Sequence, residues 1–126
     1  QALDEAGITA AQVELICGTS DGTEDDTQIE LDAIRQVFAA RSRDIPLVNY
    51  TACFGVVESC YGILNMLVVL DMMRRGEILP VPWTQKFCAD DIDFVTEVRQ
   101  QSVNIALVLG ASEGGNYYAF LLGKAE

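Results

Sequence analysis

Residues 16–30 read "ICGTSDGTEDDTQIE": an apolar start, a Gly/Thr/Ser/Asp turn and the acidic opening of an amphipathic segment. Val13 to Cys17 predicts a short buried strand, and a strand that ends in such a turn and feeds a helix is where α/β proteins place their chemistry. Thr23 stands where it can cap the helix, with Asp26 three residues on, while Glu24 and Asp25 suit the positive end of its dipole. Ile29, Ala33, Ile34, Val37 and Phe38 recur at helical spacing through Ala40, which predicts an apolar face packed on a sheet.

Upstream, Leu3 to Gly7 reads as the last turn of a helix stopped by glycine. Downstream, Ile45 to Tyr50 predicts a second apolar strand entered through Pro46. "VVESCYGILNMLVVLDMMRRG" follows, closed by Arg74, Arg75 and Gly76. It is apolar on nearly every side, so it predicts a helix buried all round. Pro80 and Pro82 exclude helix from the next stretch, and Asp90, Asp91 and Asp93 read most simply as a solvated turn. Trp83 reads as a core cover. Ser102 to Leu109 and Tyr117 to Leu122 predict two strands joined by "GASEGGN". The order implies an α/β fold: a mixed, mainly parallel sheet with an antiparallel C-terminal hairpin at one edge. A helix tail with no strand before it, and an apolar helix with no second layer over its far side, imply that the rest of the fold comes from elsewhere, either an absent N-terminal half or a partner chain. A single domain spanning 1–126, belonging to a longer protein, is the expectation.

The chain's 126 residues suffice for one core, and 50% apolar content excludes a disordered tail. Eight basic against nineteen acidic residues give a net charge of −11, which opposes nucleic acid and anionic lipid. The longest apolar run, Ile63 to Leu70, is interrupted by Asn65 and too short for a bilayer span. The N-terminus carries no signal pattern, so a cytoplasmic setting is expected. Cys17, Cys53, Cys60 and Cys88 are dispersed, without a CxxC pair, and histidine is absent; neither a disulfide framework nor a metal site is expected, and no cofactor.

Three stretches carry a resemblance. "ALDEAGITAAQVELICGTSDGTEDDTQIELDAIRQVF" resembles the segment of β-ketoacyl synthases, the thiolase-fold condensing enzymes, that runs from "AL..AG" through "HGTxTxxxD" to "E..AI..VF". "VNYTACFGVVESCYGILNMLVVLDMMRRGEILPVPW" resembles their "KxxxGHxxxxxG" loop and buried helix, and "IALVLGASEGGNYYAFLLG" their terminal "NSFGFGGxNA" loop. The likeness spans the chain in order and implies a thiolase-like layered fold, of which this is the C-terminal portion. It also implies a missing N-terminal half that carries the family's nucleophilic cysteine.

Carried over by position, the resemblance keeps the scaffold and loses the catalytic groups. Cys17 stands where the first catalytic histidine is expected, followed by matching Gly18 and Thr19. The loop is then two residues longer than the pattern, so the motif aspartate falls on Asp25 or Asp26. Gly55 matches the glycine before the second histidine, but Val56 replaces that histidine and Thr51 the lysine; Gly62 still matches. Gly114 and Gly115 match the paired glycines, while Glu113 replaces an aromatic and Leu109 the asparagine. Condensation makes an enolate and an oxyanion that two imidazoles stabilise, and neither a thiol nor valine can do this. Losing one such donor costs roughly a hundredfold in rate.

The resemblance therefore implies a non-catalytic subunit akin to a chain-length factor, pairing with an active synthase and shaping its acyl pocket. Cys17, Thr51 and Val56 would be its vestigial positions, and Gly18, Thr19, Gly55, Glu113, Gly114 and Gly115 its pocket. The chain's acidity disfavours direct docking of an acyl carrier protein, which would bind through the partner. Alternatives are an enzyme of altered chemistry, with Glu113 or Asp21 activating Cys17 for acyl transfer or thioester hydrolysis, and a decoy used only for docking. Each residue also has a packing reading: Cys17 as a small core residue, Cys53 and Cys60 as neighbours on one helix face, Asp25 and Asp26 as caps, Glu113 as a loop tip.

Overall fold

The computed structural model describes residues 1–55, 60–82, 88–112 and 115–125, with the side chain of residue 61 excepted. After α1 (Ala2–Glu5) and a 3₁₀ turn, the chain forms β1 (Leu15–Cys17), α2 (Glu24–Phe38) and β2 (Pro46–Val48). Then come α3 (Thr51–Phe54), α4 (Tyr61–Arg75), β3 (Glu77–Ile78), β4 (Asp93–Phe94), β5 (Arg99–Gln100), β6 (Ile105–Ser112) and β7 (Asn116–Gly123). The main sheet has the order β4-β2-β1-β6-β7. Its first four strands are parallel, and β7 closes one edge as an antiparallel hairpin with β6, as the sequence implies.

The period of two along β1 sorts the core into layers. Leu15 and Cys17 point to one face, where they meet Val69, Met72 and Met73 of α4 together with Val48, Ala106 and Val108. Ile16 points to the other, with Leu47 and Leu107, against Leu31, Ile34 and Phe38 of α2. The sheet is thus covered by α2 on one face and α4 on the other, which is why β1 and β2 are apolar at every position.

Several expectations are corrected. The face of α2 that meets the sheet runs through Leu31, Ile34 and Phe38, whereas Ile29 and Val37 are exposed. At about 100° per residue, Ile29, Ala33 and Val37 form a neighbouring stripe rotated off the sheet. Thr23 occupies the N-cap without a side-chain cap bond. The turn is tied differently: Asp21 Oδ1 accepts the Thr23 N–H at 2.8 Å and Asp26 Oδ2 accepts that of Asp21 at 3.2 Å. Cys53 and Cys60 do not share a helix, because Gly55, at φ 73°, ends α3, and both cysteines are exposed.

The stretch expected to be irregular contributes β4, a strand of the main sheet paired with β2. Its acidic residues are not merely solvated: Arg35 holds Asp91 through two 2.7 Å hydrogen bonds, and Arg99 holds Asp93 at 2.6 and 2.7 Å. The terminal strands run further into the Gly-rich loop than expected, Ser112 pairing with Asn116. Finally, α4 is not buried all round. Gly76, in the left-handed conformation at φ 72°, ends it as expected, but Ile63, Leu67 and Leu70 are 59%, 57% and 43% exposed along one stripe. Trp83, Val56, Glu113 and Gly114 lie outside the described residues.

Candidate functional site

The chain leaves β1 at Gly18, and the strand order reverses there: β2 and β4 lie to one side, β6 and β7 to the other. A crevice at the carboxyl ends of strands beside such a reversal is the usual ligand position in α/β sheets. The Gly18–Thr19–Ser20 turn is held from three directions. The Gly18 N–H continues the ladder to Val48 O at 2.8 Å. From α2, Glu30 Oε1 accepts the Thr19 N–H at 2.5 Å, and its other oxygen stands 3.5 Å from the Ser20 nitrogen. Asn49, just after β2, donates to Ser20 O at 2.8 Å, and the Ser20 and Thr27 hydroxyls are 2.6 Å apart. From α4, Asn65 Nδ2 lies 3.4 Å from Gly18 O and 3.5 Å from Thr51 Oγ1.

Of the residues singled out in the sequence, the fold brings together Cys17, Gly18, Thr19 and Thr51. Cys17 is fully buried, and its sulfur makes a weak 3.8 Å contact to Gly18 O. Burial, reinforced by the negative charge of Glu30, pushes its thiol well above the ordinary range. Gly55 and Gly115 carry positive φ angles of 73° and 81° that only glycine adopts readily. Neither Asp25 nor Asp26 enters the turn as an acceptor for Thr19 or Ser20; the carboxylate that does is Glu30.

Asn65 is what residue-by-residue matching missed, and Glu30 was matched only as the first residue of "E..AI..VF", with no role given to it. Asn65 is completely buried in a helix of apolar neighbours, and a buried carboxamide demands partners, so its place inside "ILNMLVV" was the available signal. Glu30 fits the glutamate of "E..AI..VF", but nothing local marks it as buried, since an acidic residue on an acidic helix reads as solvated. Burial raises its carboxyl above the usual carboxylate range, with Asp26 adding to this, while the Thr19 and Ser20 N–H groups pull the other way.

Two cavities flank the turn. One of about 580 Å³ lies between α1, α2 and the β6–β7 hairpin, lined by Thr19, Ile29, Glu30, Leu109 and Tyr117 among others. The other, about 520 Å³, opens over the ends of β1, β2 and β4 and is lined by Ser20, Asp21, Glu30, Asn49, Ala52 and Cys88 among others. Tyr118 lies over Gly110, where a Cβ would collide with its ring, and touches Gly62 of α4. Among the described residues no group of three or more Cys, Asp or Glu side chains could hold a metal ion, and no helix is long and apolar enough to cross a membrane. The turn is held by the Glu30 carboxylate together with neutral groups, the Asn49 and Asn65 carboxamides and the Thr27 hydroxyl, and both cavities carry carboxylates in their lining. Neither an imidazole nor a lysine stands among the residues that hold the turn, and the sequence contains no histidine.

Comparison with known proteins agrees with this geometry. The β-ketoacyl synthase C-terminal domain family matches residues 1–84. The polyketide synthase ThaG of Burkholderia thailandensis is 31% identical over 86 residues, 64% of this chain and 2% of that protein. A non-reducing polyketide synthase of Talaromyces marneffei is 28% identical over 81 residues, 63% of this chain and 4% of its own length. Among solved structures, a type II polyketide ketosynthase in complex with its acyl-carrier protein superposes with a TM-score of 0.91 at 16% identity, covering 99% of this chain and 31% of that one. The ishigamide ketosynthase/chain length factor gives 0.88 at 20%, covering 98% and 31%. An oxazolomycin ketosynthase domain from Streptomyces albus gives 0.81 at 26%, covering 98% and 36%. The chain therefore spans about a third of these structures and a few per cent of the polyketide synthases. It has the thiolase-like ketosynthase fold and belongs to the β-ketoacyl synthase C-terminal domain family.

Proposed function

We propose that this chain is a non-catalytic ketosynthase-like component of a polyketide or fatty acid system, which pairs with an active β-ketoacyl synthase and shapes its acyl pocket. The observation that carries the reading is Cys17. It stands at the position that the resemblance assigns to a catalytic histidine, it is fully buried, and its thiol is held neutral by the apolar surroundings. A neutral thiol cannot stabilise a developing oxyanion or enolate as an imidazole does. The packing groups around it are retained: Gly18, Thr19, Gly55 and the close approach of Gly62 to the hairpin. Thr51, Val56, Glu113, Gly114 and Gly115 complete the pocket on this reading. An acyl carrier protein would then dock on the partner, since the acidic chain repels an acidic carrier.

The test is co-expression of the full-length protein with a polyketide ketosynthase encoded beside it, followed by affinity purification and analysis of the products. The expected result is a stable complex whose product length changes when Thr19 or Thr51 is replaced by a bulkier residue. Failure to co-purify, or condensation by the protein unaided, would refute the proposal. Stable acyl labelling of Cys17 after incubation with an acyl thioester would establish an altered enzyme instead.

A further inference from the structure

The terminal hairpin outruns the rest of the sheet. β1 ends at Cys17, level with Val108, while β6 and β7 stay paired as far as Ser112 and Asn116. Gly110 and Tyr118 are cross-strand partners in that overhang. By the period of two along β6, they share the face of Ala106 and Val108, which looks toward α4. Cys17 looks the same way, and Thr51 meets Asn65 of α4 on that side at 3.5 Å. The Tyr118 ring lies against Gly110, where a Cβ would fall within the ring, so only glycine admits it there. The same ring reaches Gly62, in the first turn of α4 and one turn before Asn65: a Cβ at Gly62 would stand 3.4 Å from a ring carbon and 3.5 Å from the phenol oxygen. Phe120 meets the ring edge-on, with centroids 5.6 Å apart and an interplanar angle of 63°, which fixes its orientation. Both glycines are buried. The ring therefore occupies the space between the hairpin and the start of α4, at the end of the sheet where Cys17 and Thr51 lie.

The terminal pattern "NSFGFGGxNA" holds no ring at this position. With Leu109 on its first asparagine, Gly110 falls on the serine and Tyr118 on the alanine. Relative to that pattern the chain carries a large residue for a small one at 118 and a smaller one at 110, two positions in direct contact. We propose that Tyr118 is a specificity-determining residue, a ring that plugs the space between the terminal hairpin and α4 and so sets the longest acyl chain the site admits. An acyl chain is recognised by apolar volume, and a rigid ring backed by a strand and a helix does not give way to it. The inference rests on the proposed function only in taking the ligand to be an acyl chain; the plug itself belongs to this chain. Its action is steric exclusion, with no bond made or broken.

Acyl-pantetheine thioesters of graded length, titrated calorimetrically into the full-length protein alone and in its complex with the synthase, test this. The wild type is expected to bind them up to a limiting length. In Tyr118→Ala the first thioester beyond that limit should bind about tenfold tighter or more than it does to the wild type, the discrimination that one or more methylenes carry in an apolar pocket. Tyr118→Phe, which keeps the ring, should keep the wild-type limit. An unchanged limit in Tyr118→Ala, a shifted limit in Tyr118→Phe, or no acyl binding in either form of the protein overturns the plug. Unfolding curves check the geometry without a ligand: Gly110→Ala should lower the denaturation midpoint of the wild type and have little effect in the Tyr118→Ala background, and equal losses in both overturn the inference as well. Should Tyr118→Ala fail to fold, the double variant Gly110→Ala/Tyr118→Ala, which refills part of the space, takes its place in the titrations. Co-purification is read separately, so a lost complex with a shifted limit refutes only the pairing proposal, and an intact complex with an unchanged limit only this inference.

Discussion

Among the described residues the surroundings of Cys17 oppose a thiolate: the side chain shares a core cluster with Leu15, Val48, Val69 and Val108, and the charge that acts on it, on Glu30, is negative. Thiolate chemistry needs the opposite environment. Native protein treated with iodoacetamide should therefore be alkylated at the exposed Cys53, Cys60 and Cys88 and spared at Cys17 until denaturant is added, as peptide mass spectrometry would show. Modification of Cys17 at a rate like the other three would mean that the site opens. Glycine 18 makes a second residue-scale prediction. Gly18→Ala should destabilise the fold by about 1–3 kcal/mol in chemical denaturation, because the new methyl displaces the Glu30 carboxylate and leaves the Thr19 N–H unpaired. Gly123→Ala is the control: nothing lies within 4 Å of its Cβ position and its φ is not positive, so little change is expected. Matching to a motif could identify Cys17 and Gly18 by position. It could not say why Gly18 must be glycine, since the reason is a side chain twelve residues away.

Among the elements, α2 shows which parts of the fold the sequence made legible and which it did not. Its existence and N-terminus follow from local pattern, but the face that it buries depends on where the sheet lies. Leu31 reached the core while Ile29 and Val37 did not, although all three are equally apolar. β4 was illegible for a related reason: two residues in a Pro- and Asp-rich stretch carry no periodicity, and the strand exists only because β2 offers a free edge. The link from Arg35 to Asp91 crosses 56 positions and has no local signature. It has a measurable consequence. The Arg35 guanidinium holds the Asp91 carboxyl below the usual carboxylate range, so this pair contributes stability above the unfolded-state value and loses it as pH falls through the lowered folded value. Asp91→Asn should thus lower the melting temperature at neutral pH and converge on the wild type in acid. Glu30 has the opposite sign. Its raised folded value contributes stability at low pH that is lost as pH rises through that value, so any stability deficit of Glu30→Gln relative to the wild type should be largest in acid and narrow or reverse toward neutral pH in thermal melts. A melting curve for Asp91→Asn that parallels the wild type at every pH would remove the ion pair from the account.

At the scale of the whole molecule, the question is what covers α4. Helical spacing puts Ile63, Leu67 and Leu70 on one stripe, opposite Asn65, Val69 and Met72, which face the sheet. Phe54 and, on β7, Phe120 are exposed as well. Covering a large apolar side chain is worth about 1.5–3 kcal/mol, so leaving such a stripe in water sacrifices a sizeable share of a domain's net stability. The solved ketosynthase structures that superpose on this chain are about three times its length, which on the pairing proposal supplies the covering layer from ketosynthase-type chain. The all-apolar reading of α4 led to the expectation of a further layer but did not say which residues would face outward, because that depends on the angle at which α4 crosses β6. Leu67→Asp separates assembly from folding. The residue lies outside the chain's own core, so its replacement should change the intrinsic stability by no more than about 0.5 kcal/mol, whereas Val69→Asp, at a fully buried position, should prevent folding. In a complex, an aspartate buried against an apolar layer has no partner charge, and its desolvation should abolish co-purification with the synthase. If Leu67→Asp is recovered in complex as efficiently as the wild type, the outward stripe of α4 is not the surface through which this chain completes its fold.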